Sequence, residues 1–195
     1  TPNGTWHAHG NDDADPVIWA DMLDWPLIDF LGLASVRNDP GNAPDHKNPS
    51  ADFSERYWGR GGIHPLFEPH PRGDGRGSTP MFLYKGVDIH AALNDLRRHD
   101  GDPYQGIIVE IVNPANGASV FTTISYRAQL LRPGEATLPY RHSASTIFFA
   151  ETGAGTVEVD GTPMPFERND FFVVPNHRWR RLINTGRRLR PRSPP

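Results

Sequence analysis

Cysteine is missing altogether from the 195 residues. Its absence excludes disulfides, thiolate-ligated zinc and a cysteine nucleophile. A reducing compartment suits such a chain, and a cytoplasmic location is expected. No apolar run approaches the ~20 residues of a membrane-spanning helix, and no leader pattern is visible, so no membrane partner is expected. An excess of basic charge is missing too: 20 Lys and Arg stand against 23 Asp and Glu, a net charge of −3. Nucleic-acid binding draws on a basic field that this balance does not supply. The first residue is Thr1 rather than Met, a start that permits a chain beginning within a longer gene.

Glycine (19) and proline (20) are abundant, together about a fifth of the chain. Many turns between short strands account for them better than disorder does. Residues 1–16 are polar and carry two close histidines. Residues 17–20 (Val-Ile-Trp-Ala) predict a short strand, and residues 25–33 a turn or short helix. Residues 34–80 are rich in Pro, Gly, Asp, Asn and Arg, which predicts a linker or surface-wrapping segment. Simple disorder is the alternative, and Phe53, Tyr57, Trp58 and Phe67 are the aromatic anchors that argue against it.

Ile89, Ala92, Leu93 and Leu96 fall at helical spacing and predict one helix over 88–99, with Asp88 as its cap and Arg97 and Arg98 at its C-terminal end. Strands are predicted over 107–112, 120–131, 146–150, 155–159 and 171–174. Glu151 to Ala154 and Asp160-Gly161 supply turns between the last three. Short antiparallel strands of this kind suggest a barrel or sandwich. The tail over 187–195, with four arginines and three prolines, reads as a solvated end.

Two histidine-bearing stretches carry the chemistry. Pro2-Asn3-Gly4-Thr5-Trp6-His7-Ala8-His9-Gly10-Asn11 fits P-x-G-x-x-H-x-x-x-N without a mismatch. This resembles the second conserved motif of the cupin superfamily, whose histidine is a metal ligand; an imidazole suits Fe(II), Mn or Zn. The blander reading is a surface pair of histidines. On a strand, His9 shares a face with His7.

The second stretch keeps a pattern and loses its ligands. The first cupin motif, G-x5-H-x-H-x3-E-x6-G, is matched in spacing by Gly134, Tyr140, His142, Thr146 and Gly153. The second, G-x5-P-x-G-x2-H-x3-N, is matched by Asn169, Pro175, His177, Arg180 and Asn184. Three of four ligand positions are therefore Tyr140, Thr146 and Arg180. One histidine and an arginine do not make a metal site. Arg180 would repel a metal and suit an anion or an internal carboxylate. His142 is expected to be a hydrogen-bonded interior or interface histidine.

The order of these motifs resembles the gentisate 1,2-dioxygenase family, which includes enzymes acting on salicylate and 1-hydroxy-2-naphthoate. The similar stretches are Trp6-His7-Ala8-His9-Gly10-Asn11, Pro16-Val17-Ile18-Trp19-Ala20-Asp21-Met22-Leu23-Asp24, Pro26-Leu27-Ile28-Asp29-Phe30-Leu31, Ser54-Glu55-Arg56-Tyr57, Asp102-Pro103, Asn113-Pro114, Tyr140-Arg141-His142-Ser143 and Phe172-Val173-Val174-Pro175. The resemblance implies a mainly β fold: a cupin (double-stranded β-helix, jelly-roll) barrel, the C-terminal half of a bicupin, with one short helix and a long linker.

The expected divisions are 1–33, a remnant of the N-terminal cupin; 34–85, a linker with packed aromatic anchors; 86–186, the C-terminal cupin with its leading helix; and 187–195, a disordered tail. The resemblance also implies O₂-dependent opening of an aromatic hydroxy-carboxylate at non-haem Fe(II), in a homo-oligomer of tetramer type. It makes His7 a metal ligand and His9 and Asp21 catalytic residues of the substrate pocket. The remaining ligands of that centre have no counterpart here, so the chain alone is expected to be inactive. A non-catalytic cupin, acting as a binding or oligomerisation module, and a metal-free cupin isomerase are the other readings.

Overall fold

The computed structural model describes residues 7, 9–36, 53–61, 63 and 79–186. The predicted tail and most of the predicted linker, Phe67 included, lie outside them. The chain divides into two compact units, Thr1–Tyr84 with Glu110–Tyr126, and Lys85–Val109 with Arg127–Pro195.

In the first unit, residues 17–20 form no strand. Among the described residues no strand pairs with this apolar run, and Ile18 is 96% exposed. Helix α1, Trp25–Phe30, carries Pro26 in its first turn, where the missing N–H costs nothing. Asp24 sits at its N-cap but does not cap it; its carboxylate instead accepts a hydrogen bond from Thr123 Oγ1. Tyr126 Oη donates to the carbonyl of Met22 at 3.2 Å. These two bonds tie residues 22–24 to the 123–126 segment.

Helix α2, Phe53–Trp58, lies within the predicted linker. Ser54 and Trp58, four residues apart on one helix face, are both buried. Phe82 N–H donates to Ser54 Oγ at 3.2 Å. The Trp58 anchor is therefore packed, as its type suggested.

The second unit opens with helix α3, Gly86–Asp95. It starts two residues before the predicted position and ends four earlier. Lys85 is the N-cap, and Asp88 lies in the first turn rather than capping it. Arg97 and Arg98 follow the helix in a turn. Among the described residues there are three helices: α1 falls where a turn or short helix was expected, α3 overlaps the helix expected over 88–99, and α2 was not expected.

Seven strands follow: β1 Ile107–Ile111, β2 Tyr126–Leu130, β3 Thr146–Phe149, β4 Ala154–Val159, β5 Thr162–Glu167, β6 Phe171–Val174 and β7 Arg180–Asn184. β1 pairs with β2, β3 with β6, and β5, β4 and β7 form a sheet in that order. The predicted strand over 120–131 is shorter at its start, because residues 120–125 bend and Val120 is buried with its carbonyl accepting from Thr79 N–H.

β5 and β7 were not anticipated. Pro163 and Pro165 hide β5, yet they oppose Glu158 and Thr156 with the same parity in the antiparallel register. On an edge strand both missing donors can fall on the outer side. β7 is also flanked by the irregular segment 134–140. Thr137 N–H donates to the Leu182 carbonyl at 2.9 Å, and Tyr140 and Arg180 exchange both backbone bonds at 2.8 Å.

Alternation along β3 and β6 separates two faces. Phe148, Phe172 and Val174 turn inward, whereas Ile147, Phe149, Phe171 and Val173 are exposed. The core is Val157, Val174 and Leu182, with Leu131, Phe148, Val159, Phe166 and Phe172 packed against it. Phe172 stacks on Phe148 and on Phe166 at 4.8 and 4.9 Å between ring centroids. Gly155 is required here. A Cβ at that position would lie 2.6 Å from both the Ile183 carbonyl oxygen and the Phe166 ring.

Candidate functional site

The two motif regions fall in different units and are described separately. In the first unit His7 and His9 are exposed. They do not lie on a strand, yet their rings meet edge to face at 5.5 Å. His9 stacks on Trp19 at 5.1 Å. Asp21 is exposed, and no hydrogen bond or ion pair joins it to His9. The structure therefore gathers His7, His9 and Trp19 and leaves Asp21 apart. Trp19 lies within the similar stretch over residues 16–24, and its place beside His9 was not marked by the spacing of the sequence.

In the second unit the cupin spacing has a backbone cause. Gly134, Gly153, Asn169 and His177 occupy the motifs' glycine positions, and all four have positive φ, from +59° at His177 to +79° at Gly153. That left-handed conformation is easy for glycine, tolerated by asparagine and uncommon for histidine. The frame is kept by conformation even where the glycine itself is gone.

The three substituted ligand positions converge. Arg180 Nη1 donates to Thr146 Oγ1 at 3.0 Å, and its guanidinium lies 5.0 Å from the centroid of the Tyr140 ring. A third residue, Phe148, presents its ring at 5.2 Å; two places beyond Thr146, it shares that residue's face. Arg141 and Trp179, one step along from the Tyr140–Arg180 pair, make the corresponding contact on the other side, at 4.9 Å. Burial pushes the Arg180 pKa down; the Tyr140 hydroxyl acts against this and the charge of Arg127 adds to it.

His142 is not an interior residue. It is exposed, and its Nδ1 accepts a hydrogen bond from the Ala144 N–H at 2.9 Å. Its backbone carbonyl accepts from the N–H of His177. This local turn satisfies the ring without burying it.

The iron that the resemblance implies finds no complete place here. Among the described residues no three His, Asp or Glu side chains come together to hold a metal ion. At the barrel's own ligand positions stands a guanidinium, which is cationic and donor-only.

Comparison with known proteins agrees with this geometry. Residues 128–190 match the model of the Cupin domain family. The chain is 38% identical over 186 residues to a 5-aminosalicylate 1,2-dioxygenase from Comamonas sp, covering 94% of this chain and 48% of that protein. It is 32% identical over 185 residues to a gentisate 1,2-dioxygenase from Haloferax sp, covering 90% of this chain and 50% of that protein. In structure it resembles a salicylate 1,2-dioxygenase from Pseudaminobacter salicylatoxidans with a TM-score of 0.72 and 24% identity, over 84% of this chain and 47% of that one; at that identity the likeness is one of fold. The chain spans about half the length of the relatives it matches. Residues 128–190 thus carry a cupin domain, and the chain is similar, along about half of their length, to ring-cleaving dioxygenases of the gentisate type.

Proposed function

We propose that the chain serves as part of a gentisate-type ring-cleaving dioxygenase, one that opens an aromatic hydroxy-carboxylate with O₂ at non-haem Fe(II). The similarity to the 5-aminosalicylate dioxygenase, 38% over 94% of the chain, carries this reading. In it, His7 is one iron ligand and His9 and Asp21 belong to the substrate pocket, while the remaining ligands come from outside this chain. The stacking of His9 on Trp19 supports it by fixing the imidazole beside His7. So does the exposure of Ile18 (96%), Phe30 (85%) and Leu23 (70%), an apolar surface of the kind that further protein covers. The divisions at 33, 85 and 186, the bicupin and tetrameric arrangement and the cytoplasmic location belong to the same proposal.

For the barrel of the second unit, a non-catalytic role is favoured by one observation: Arg180 occupies the place of a ligand. Oxygen uptake with gentisate, salicylate and 5-aminosalicylate is the test. The 195-residue chain with added Fe(II) is expected to show no turnover, and the native protein isolated from its source is expected to show turnover together with bound iron. Turnover by the chain alone would sink the ligand assignment. A native protein with iron but no activity on any of these acids would sink the family reading.

A further inference from the structure

Arg180 is half-buried, and among the described residues only one of its five N–H donors meets a protein acceptor, Thr146 Oγ1. No carboxylate among the described residues pairs with it. Its other neighbours are the Tyr140 and Phe148 rings. A guanidinium partly withdrawn from water is costly unless a counter-charge joins it. The planar fork of Arg180 is suited to two parallel bonds to a carboxylate. The flanking rings favour a carboxylate bearing an apolar body over a strongly hydrated inorganic ion.

We propose that the barrel binds a small organic monocarboxylate at Arg180, with Thr146 holding the guanidinium in place and Tyr140 and Phe148 forming the apolar wall. The site stands on the side chains at the motifs' ligand positions, and it is independent of whether the first unit contributes to an iron site.

Benzoate is the probe, titrated calorimetrically into the 195-residue chain at low salt, with acetate and chloride as comparisons. Benzoate is expected to bind more tightly than acetate, and chloride to bind weakest. Arg180→Met, which keeps the stem against the rings, is expected to weaken benzoate at least about tenfold, the loss of a charge-assisted hydrogen bond. No benzoate binding to the unsubstituted chain, equal binding by Arg180→Met, or equal competition by chloride would each overturn the proposal. Should Arg180→Met not fold, arginine modification by phenylglyoxal on the unsubstituted chain decides. Benzoate is expected to protect Arg180 and leave the exposed Arg97 reactive; equal modification of Arg180 with and without benzoate counts against the site.

Discussion

Arg132 and Glu135 lock a turn in the second unit. The guanidinium donates to both carboxylate oxygens, at 2.6 and 2.9 Å, and the Arg132 backbone N–H donates to Oε2 at 2.6 Å. Arg132 also reaches the carbonyls of His99 and Asp100 at 3.0 and 3.2 Å, so one side chain joins this turn to the one after α3. The hydrogen bonds from Arg132 hold the Glu135 carboxyl below the usual carboxylate range, against an opposing effect of burial. A carboxyl whose folded pKa lies below its unfolded one adds stability above the unfolded value, about 4.3 for glutamate. That stability is lost as pH falls through the folded value. Glu135→Gln is accordingly expected to lower the melting temperature at neutral pH, with the gap from the parent chain closing on acidification below about pH 4. A gap that stays constant across a pH series of thermal melts would show that the charge is not the cause.

At the scale of elements, the contact between β4 and β5 sets a tight constraint. Gly155 opposes Phe166 in the register, and the ring occupies the space that a side chain would need. Gly155→Val is expected to cost about 1–3 kcal/mol as an overpacked core substitution, read as a lower urea midpoint; an unchanged midpoint would mean that Phe166 does not lie over the glycine. The same region shows why parts of the fold were legible in the sequence. β3, β4 and β6 are short, mostly apolar runs between turn residues, and each appears within a residue or so of its expected place. β5 is written Thr-Pro-Met-Pro-Phe-Glu, and proline is a strand breaker everywhere except where the donor is not needed. β7 carries two arginines at its start, Arg180 and Arg181, whose charges mask its strand character. Arg181 is satisfied only across the sheet, by two bonds to Glu158, a partner that sequence alone does not assign. The strand expected at 17–20 failed for the opposite reason: its residues have the right types and, among the described residues, no strand to pair with.

In the whole molecule, the spacing of the motifs proved more durable than their chemistry. Gly134, Gly153, Asn169 and His177 preserve four left-handed corners, and those corners bring positions 140, 146 and 180 to one place. The spacing was legible in the sequence because turns count residues. What stands around the guanidinium was not: Phe148 lies outside the motifs' ligand positions, and only the fold brings its ring to Arg180.

The nesting of Arg180 between two rings and a hydroxyl means that no one substitution makes a metal site of this barrel. A single change at Tyr140, Thr146 or Arg180 alters one partner of the guanidinium or removes the guanidinium, and completes no ligand set. Tyr140→His or Thr146→Glu alone leaves a positive charge where the ion must sit, and Arg180→His alone leaves one ligand facing a tyrosine and a threonine. The three changes made together are expected to bind Co(II), seen as the visible absorption of ligated cobalt, whereas every variant that keeps Arg180 stays colourless. Cobalt binding by a variant retaining Arg180 would overturn this.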